Sequence, residues 1–126
     1  MHFDIKLENL LLHNGSVKIC DFGLSALNGT VRRGKPHGTS SYMPPEYIAI
    51  TKHETEYVMR CAADKWAFGI VIFAVAFADL PWDKARSNDQ DYAEFKAWCG
   101  NFDIIFGSFL TLFQLCPAHD YRNHNL

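Results

Sequence analysis

The chain lacks a strong excess of either charge. Its 12 basic residues stand against 14 acidic ones, a formal net charge of -2. That excludes the strongly basic body with which proteins coat nucleic acid. It also lacks any CxxC unit. Cys20, Cys61, Cys99 and Cys116 are scattered, which removes the common zinc-ligand spacing and points to buried, reduced thiols in an intracellular protein. No secretory leader is visible, because Asp4, Lys6 and Glu8 break up the first residues. No apolar run is long enough to cross a bilayer. The longest, Trp66 to Ala78, falls short of the ~20 residues required and reads as a helix buried on most sides. Internal repeats and low-complexity tracts are absent as well.

What is present is an ordinary globular composition with one excess. Of the 126 residues, 48% are hydrophobic and 21% charged, which suits one folded domain. The aromatic share is 14%, with ten Phe. That much aromatic surface requires a core, a partner or further chain to cover it.

The first twenty-odd residues have the clearest local pattern. Leu10-Leu11-Leu12 precedes Asn14-Gly15, the strongest short hairpin signal, and Val17-Lys18-Ile19 follows it. Two short antiparallel strands joined at His13 to Ser16 are expected. A hairpin brings its ends together, so Asp4, Asn9 and Asp21 are expected to converge. Residues 24–45 hold Gly29, Gly34, Pro36, Gly38, Pro44 and Pro45 and read as a long loop, a length that usually carries function. A short helix is expected over 46–50, a loop over 51–61, and a long helix from Asp64, its N-cap, to about Ala78, stopped by Pro81. Further helices are expected over 89–99 and 108–115.

These residues resemble the C-terminal lobe of a eukaryotic serine/threonine protein kinase. His2-Phe3-Asp4-Ile5-Lys6-Leu7-Glu8-Asn9 is similar to the catalytic loop HRDxKxxN, and Asp21-Phe22-Gly23 is the magnesium-binding DFG. Gly38 to Glu46, GTSSYMPPE, resembles the GTxxYxAPE end of an activation segment. Asp64 to Gly69 resembles the DxWxxG opening of the central buried helix, and Leu80-Pro81-Trp82 the turn after it. The resemblance covers residues 1–115, and the LPWDKA stretch is closest to the DNA-damage checkpoint kinases. It implies an α+β, mainly α fold: a kinase C-terminal lobe with a short β-hairpin and no N-terminal lobe. Residues 1–126 then form a partial catalytic domain, with catalytic loop 2–9, DFG 21–23, activation segment 21–46 and central helix about 64–78.

The resemblance also implies roles. Phosphoryl transfer is done by positioning and by charge. Asp4 receives or orients the substrate hydroxyl, and Lys6 sits near the transferred phosphate. Asn9 and Asp21 hold Mg2+, and Leu11 lies under the adenine of ATP. His2 packs on Phe22, with Gly23 completing the motif. Thr39 contacts the region of Asp4 and Lys6, and Asp64 accepts hydrogen bonds from the loop backbone. Glu46 pairs with a late Arg in the family. Only Arg122 is available here, after CPAHDY, which does not reproduce the usual spacing. The basic stretch Arg32, Arg33, Lys35 is open to three readings: a solvated face, an attractor for an acidic substrate segment, or a responder to nearby phosphorylation.

Two departures matter. Phe3 replaces the Arg of HRD, so it cannot pair with a phosphorylated activation segment; Leu7 replaces a Pro and Pro44 an Ala. There is also no G-x-G-x-x-G before the catalytic loop, no VAIK-type Lys and no partner Glu. ATP and Mg2+ are therefore expected only in a complete parent domain, and these residues alone are expected to have negligible activity. Three readings follow: a partial Ser/Thr kinase domain acting on protein Ser or Thr, an inactive fragment binding a partner through its exposed lobe surface, or a truncated gene product. No nucleic acid or membrane partner is expected. The location is expected to be intracellular, in nucleus or cytoplasm.

Overall fold

A computed structural model describes residues 1–100. In chain order they form strands β1 (Leu10–His13), β2 (Ser16–Ile19) and β3 (Val31–Arg33), helix α1 (Pro45–Ile48), strand β4 (Glu56–Val58), and helices α2 (Ala62–Phe77) and α3 (Gln90–Gly100). Short 3-10 turns lie at Leu7–Asn9 and Ser40–Tyr42. The expected helix over 108–115 and the cysteine Cys116 lie outside the described residues.

The first hairpin follows from its turn. Asn14 and Gly15 take φ of 48° and 72°, the two left-handed positions that a two-residue turn of this hand requires. The register is then Leu10↔Ile19, Leu11↔Lys18, Leu12↔Val17 and His13↔Ser16. Leu10, Leu12, Val17 and Ile19 share one face, yet Leu12 is 79% and Val17 64% exposed. The backbone bond from Cys20 N to Asn9 O, 2.9 Å, closes the hairpin at its base.

A second two-stranded sheet was not expected. Both stretches read as loops, 24–45 and 51–61, contain a strand: β3 pairs antiparallel with β4, Val31↔Val58, Arg32↔Tyr57, Arg33↔Glu56. Backbone bonds extend the ladder on both sides, Met59 N to Thr30 O at 2.7 Å and Gly34 N to Thr55 O at 2.9 Å. Each strand has three residues and they pair across some two dozen positions, so no local periodicity marks them. In β4 only Tyr57 is buried.

α1 begins as its prolines dictate, with Pro45 at the first helical position. α2 starts two residues earlier than expected. Its flanking residue is Cys61, which provides no side-chain cap, and Asp64 lies inside the first turn. The helix ends at Phe77, before Pro81, where Ala78 turns left-handed at φ 56°. Ala63, Ala67, Ile70, Val71 and Ala74 are buried and form one helical stripe. Phe68, Ile72, Val75 and Phe77 are exposed, so among the described residues α2 is buried on one side and not on most. Asp89 caps α3, its carboxylate accepting from Tyr92 N at 3.1 Å and its other oxygen from Lys84 N at 2.9 Å. Trp82 is buried between Trp66 and Tyr92, with ring centroids 5.8 and 5.1 Å away.

One core cluster is Tyr47, Tyr57, Met59 and Ala63, with Met1, Phe3, Ala26, Met43 and Ile50 packed against it. Met59 is almost wholly enclosed. A methionine buried to this degree contributes roughly 1.5–3 kcal/mol. Phe3 is half-buried and packs against this cluster, while Phe22 is exposed, so only part of the aromatic excess is surface. Cys20, Cys61 and Cys99 are each half-buried and not fully buried. No helix among the described residues is long and apolar enough to cross a membrane.

Candidate active site

The site begins at α2. The Asp64 carboxylate accepts from the backbone N–H of His2 and of Phe3, both at 2.7 Å. Short bonds to an ionised acceptor are the strong kind, and they pin two successive residues from a rigid helix. Asp64 therefore anchors the loop and is not an N-cap. Phe3, between these bonds and Asp4, is held at φ 68°.

His2 ties the loop to the far end of the hairpin. Its Nε2 donates to Cys20 O at 2.9 Å. A carbonyl only accepts, so the proton sits on Nε2 and Nδ1 is left as the acceptor for Asp4 N, at 3.3 Å. The His2 ring meets the Phe22 ring edge-on, 4.9 Å between centroids. Buried His2 thus links Asp4 of one predicted motif to Cys20 and, beyond it, Phe22 of the other.

Asp4 is the centre of the cluster. One carboxylate oxygen, Oδ1, accepts from the Thr39 backbone N–H at 3.0 Å and from its hydroxyl at 3.1 Å. The other, Oδ2, pairs with Lys6 Nζ at 2.9 Å and accepts from Asn9 Nδ2 at 3.3 Å. Lys6 also donates to the Thr39 hydroxyl at 2.9 Å, and Asn9 Nδ2 to the Asp4 carbonyl at 2.9 Å. Burial works against ionisation of Asp4. The Lys6 bond, the two Thr39 bonds and the Lys6 charge outweigh it and hold the carboxyl below its ordinary 3.8. Lys6 is shifted upward from 10.5, first by its bond to Asp4, against some desolvation, and then by the charges of Asp4, Glu8 and Asp21.

Asp21 stands one residue beyond the hairpin's closing bond, at φ 61°, and its Oδ1 accepts from Gly23 N at 3.2 Å. It is exposed, in contrast to buried Asn9. Among the described residues no group of three or more His, Cys, Asp or Glu is placed to hold a metal. The donor set that remains suits a hard cation sharing its shell with phosphate and water: the Asp21 carboxylate and the Asn9 side-chain carbonyl, whose amide nitrogen is occupied by Asp4. Leu11 lies on β1 opposite Lys18 and is 52% exposed. Glu46 is exposed on α1, and Arg122 lies outside the described residues.

Sequence reasoning assigned no role to three contributors. Gly38 sits at φ +132°, and a Cβ there would come within 3.2 Å of the Phe3 carbonyl oxygen. Only glycine lets the segment lie this close to the loop and deliver Thr39. Tyr47 and Tyr57 pack on Phe3, with centroids at 5.1 and 6.4 Å. The glycine was visible as part of a motif. The tyrosines had no signal beyond being aromatic.

This geometry has relatives. A family model described as "Protein kinase domain" matches residues 1–112. The serine/threonine-protein kinase SBK1 of Danio rerio is 36% identical over 105 residues, covering 78% of this chain and 26% of that protein. The serine/threonine-protein kinase chk1 of Schizosaccharomyces pombe is 36% identical over 103 residues, again 78% of this chain but 19% of that protein. The solved structure of the Cydia pomonella granulovirus kinase PK-1 superimposes with a TM-score of 0.53 at 36% identity, over 65% of this chain and 28% of that one. The chain thus spans about a quarter or less of the curated relatives it matches here. A carboxylate cluster anchored on Asp64, and a family match that runs from the loop through the helices, make this chain a member of the protein kinase family.

Proposed function

We propose that the protein carrying this chain transfers the γ-phosphate of ATP to a Ser or Thr of a protein substrate, and that these residues are the C-terminal lobe of its catalytic domain. The observation that carries this reading is the single cluster formed by Asp4, Lys6, Asn9 and Thr39. Asp4 meets the substrate hydroxyl. Its four present contacts fill the four acceptor directions of a carboxylate, so the incoming hydroxyl displaces the longest, from Asn9 at 3.3 Å. Asn9 keeps its bond to the Asp4 carbonyl. Because its affinity for a proton is lowered, Asp4 orients the hydroxyl and takes the proton late. Lys6 places positive charge beside the oxygens that move. Asn9 and Asp21 supply oxygen ligands for Mg2+, and Leu11 an apolar surface for the base. When bound, ATP and Mg2+ supply the phosphoryl group and neutralise its charge.

The test uses the full-length protein. Asp4→Asn is expected to lower the phosphate-transfer rate by roughly 10²- to 10⁴-fold while nucleotide affinity is kept. Equal rates in the two proteins sink the reading. The 126 residues alone contain no G-x-G-x-x-G and are expected to transfer no phosphate.

One observation favours a second reading, an inactive kinase-like chain that binds a protein partner. Leu12, Val17, Phe22 and Leu27 are 79, 64, 63 and 84% exposed. Wild-type full-length protein that binds no nucleotide by calorimetry, with or without Mg2+, favours it.

A further inference from the structure

Three rings from three elements close a triangle around the loop. Phe3 precedes Asp4, Tyr47 lies on α1 and Tyr57 on β4. The Phe3–Tyr47 pair is edge-on at 5.1 Å, Tyr47–Tyr57 edge-on at 5.7 Å, and Phe3–Tyr57 stacked at 6.4 Å. These are favoured arrangements for aromatic rings. Tyr47 and Tyr57 are buried. The Tyr47 hydroxyl donates to Val58 O at 2.8 Å and accepts from Arg60 N at 3.1 Å, so it fixes the chain on both sides of Met59. Met59 N in turn bonds Thr30 O, immediately before β3. Contacts therefore run from the Phe3 ring through β4 to β3 and Gly34, and the chain continues from there to Gly38 and Thr39. Phe3 itself adopts φ 68°, a left-handed conformation that a bulky residue keeps only when its surroundings impose it. Those surroundings are the Asp64 bond at its N–H and the two tyrosine rings at its side chain.

We propose that Phe3, Tyr47 and Tyr57 form an aromatic clamp that positions Asp4 by holding β4, and with it β3 and the segment through Thr39, against the catalytic loop. This rests on the reading of Asp4 as the group that meets the substrate hydroxyl. The three are positioning residues: the rings act through the Phe3 backbone on one side of Asp4 and through Thr39 on the other. The hold is made by ring contact, so it persists at raised ionic strength and after phosphatase treatment.

The test compares Tyr57→Ala with Tyr57→Phe, and Phe3→Ala with Phe3→Leu, in the full-length protein. Tyr57→Ala is expected to lower kcat roughly ten- to a hundredfold with KM for ATP unchanged, the size expected of a misplaced reacting group. Tyr57→Phe, which keeps the ring, restores the rate. Unchanged kcat in Tyr57→Ala, or an equal loss in Tyr57→Phe, overturns the clamp. A second measurement needs no activity. Trypsin cuts after Arg32 and Arg33 in β3, and cleavage there is expected to accelerate in Tyr57→Ala and Phe3→Ala but not in Tyr57→Phe or Phe3→Leu, at low and high salt alike. Identical cleavage in all five proteins overturns the clamp even if wild-type protein transfers no phosphate. If cleavage accelerates as expected while wild-type protein is inactive, the clamp stands as a structural hold and the positioning claim fails with the proposed reaction.

Discussion

The β1–β2 hairpin and the contact between the loop at residues 2–9 and the segment ending at Thr39 lie within forty residues of each other in sequence, yet they are built in opposite ways. The hairpin is local. Its turn, register and closing bond come from residues a few positions apart, and seven of its eight strand residues are exposed. The loop–segment contact is almost wholly long-range. Asp4 to Thr39 spans 35 positions and His2 to Asp64 spans 62. The difference shows where each region's geometry is stored. A hairpin of this kind keeps its shape through its turn and presents an apolar face. The site keeps its shape only while α2, β4 and the loop remain packed.

The largest effect is therefore expected where one residue carries the long-range hold. Asp64→Asn weakens both bonds to the loop backbone, and calorimetry of the full-length protein should show a loss of about 2–4 kcal/mol, since hydrogen bonds to a charged group are worth the most. A loss near zero would mean that the loop is held elsewhere and the comparison fails. Next is Gly38→Ala. The added Cβ meets the Phe3 carbonyl at a φ that side chains rarely adopt, so a loss of roughly 1–3 kcal/mol is expected, with weaker protection of residues 29–43 in hydrogen exchange.

Acid gives a smaller, signed test. The folded-state pKa of Asp4 lies below its ordinary 3.8, so its contribution to stability is present above that value and is lost as pH falls through the depressed pKa. Lys6 has the opposite sign: its contribution is present below 10.5 and lost as pH rises through its raised pKa. The cluster is thus intact across the neutral range. Stability measured down a pH series should fall less steeply in Asp4→Asn than in wild type below pH 3.8, and parallel curves would show that Asp4 gains nothing from its partners. The smallest effect is expected on the hairpin. Val17→Lys changes an exposed position, so stability should stay within about 0.5 kcal/mol. A larger loss in the full-length protein would show that this face is packed there.

Legibility in the sequence divides along the same line. The hairpin was readable because Asn14-Gly15 fixes a turn by its own φ preferences. α2 was readable to within two residues, because thirteen apolar or small positions follow one another from Trp66 and nothing breaks them before Ala78. β3 and β4 were not readable. Three residues are too few for a period, and the Gly and Pro around them signal loop. Asp64 was legible in one respect and not in another: the motif resemblance implied that it accepts from the loop backbone, which it does across 61 and 62 positions, while its place near a helix start suggested a cap that it does not form. Nothing local marked Tyr57 as the buried residue of a solvent-facing strand.

The sequence by itself determined which residue types are available for the proposed phosphoryl chemistry, in what order, and the one turn that folds Asn9 back toward Asp21. Those follow from side-chain chemistry and short-range backbone preference. The tertiary structure decided that Asp4 is ionised below its usual range, that Thr39 and Lys6 share its carboxylate, and that Phe3 packs against the core. Each of these depends on atoms brought within hydrogen-bond or ring-contact distance across dozens of residues, and such distances are set by packing and not by the local chain.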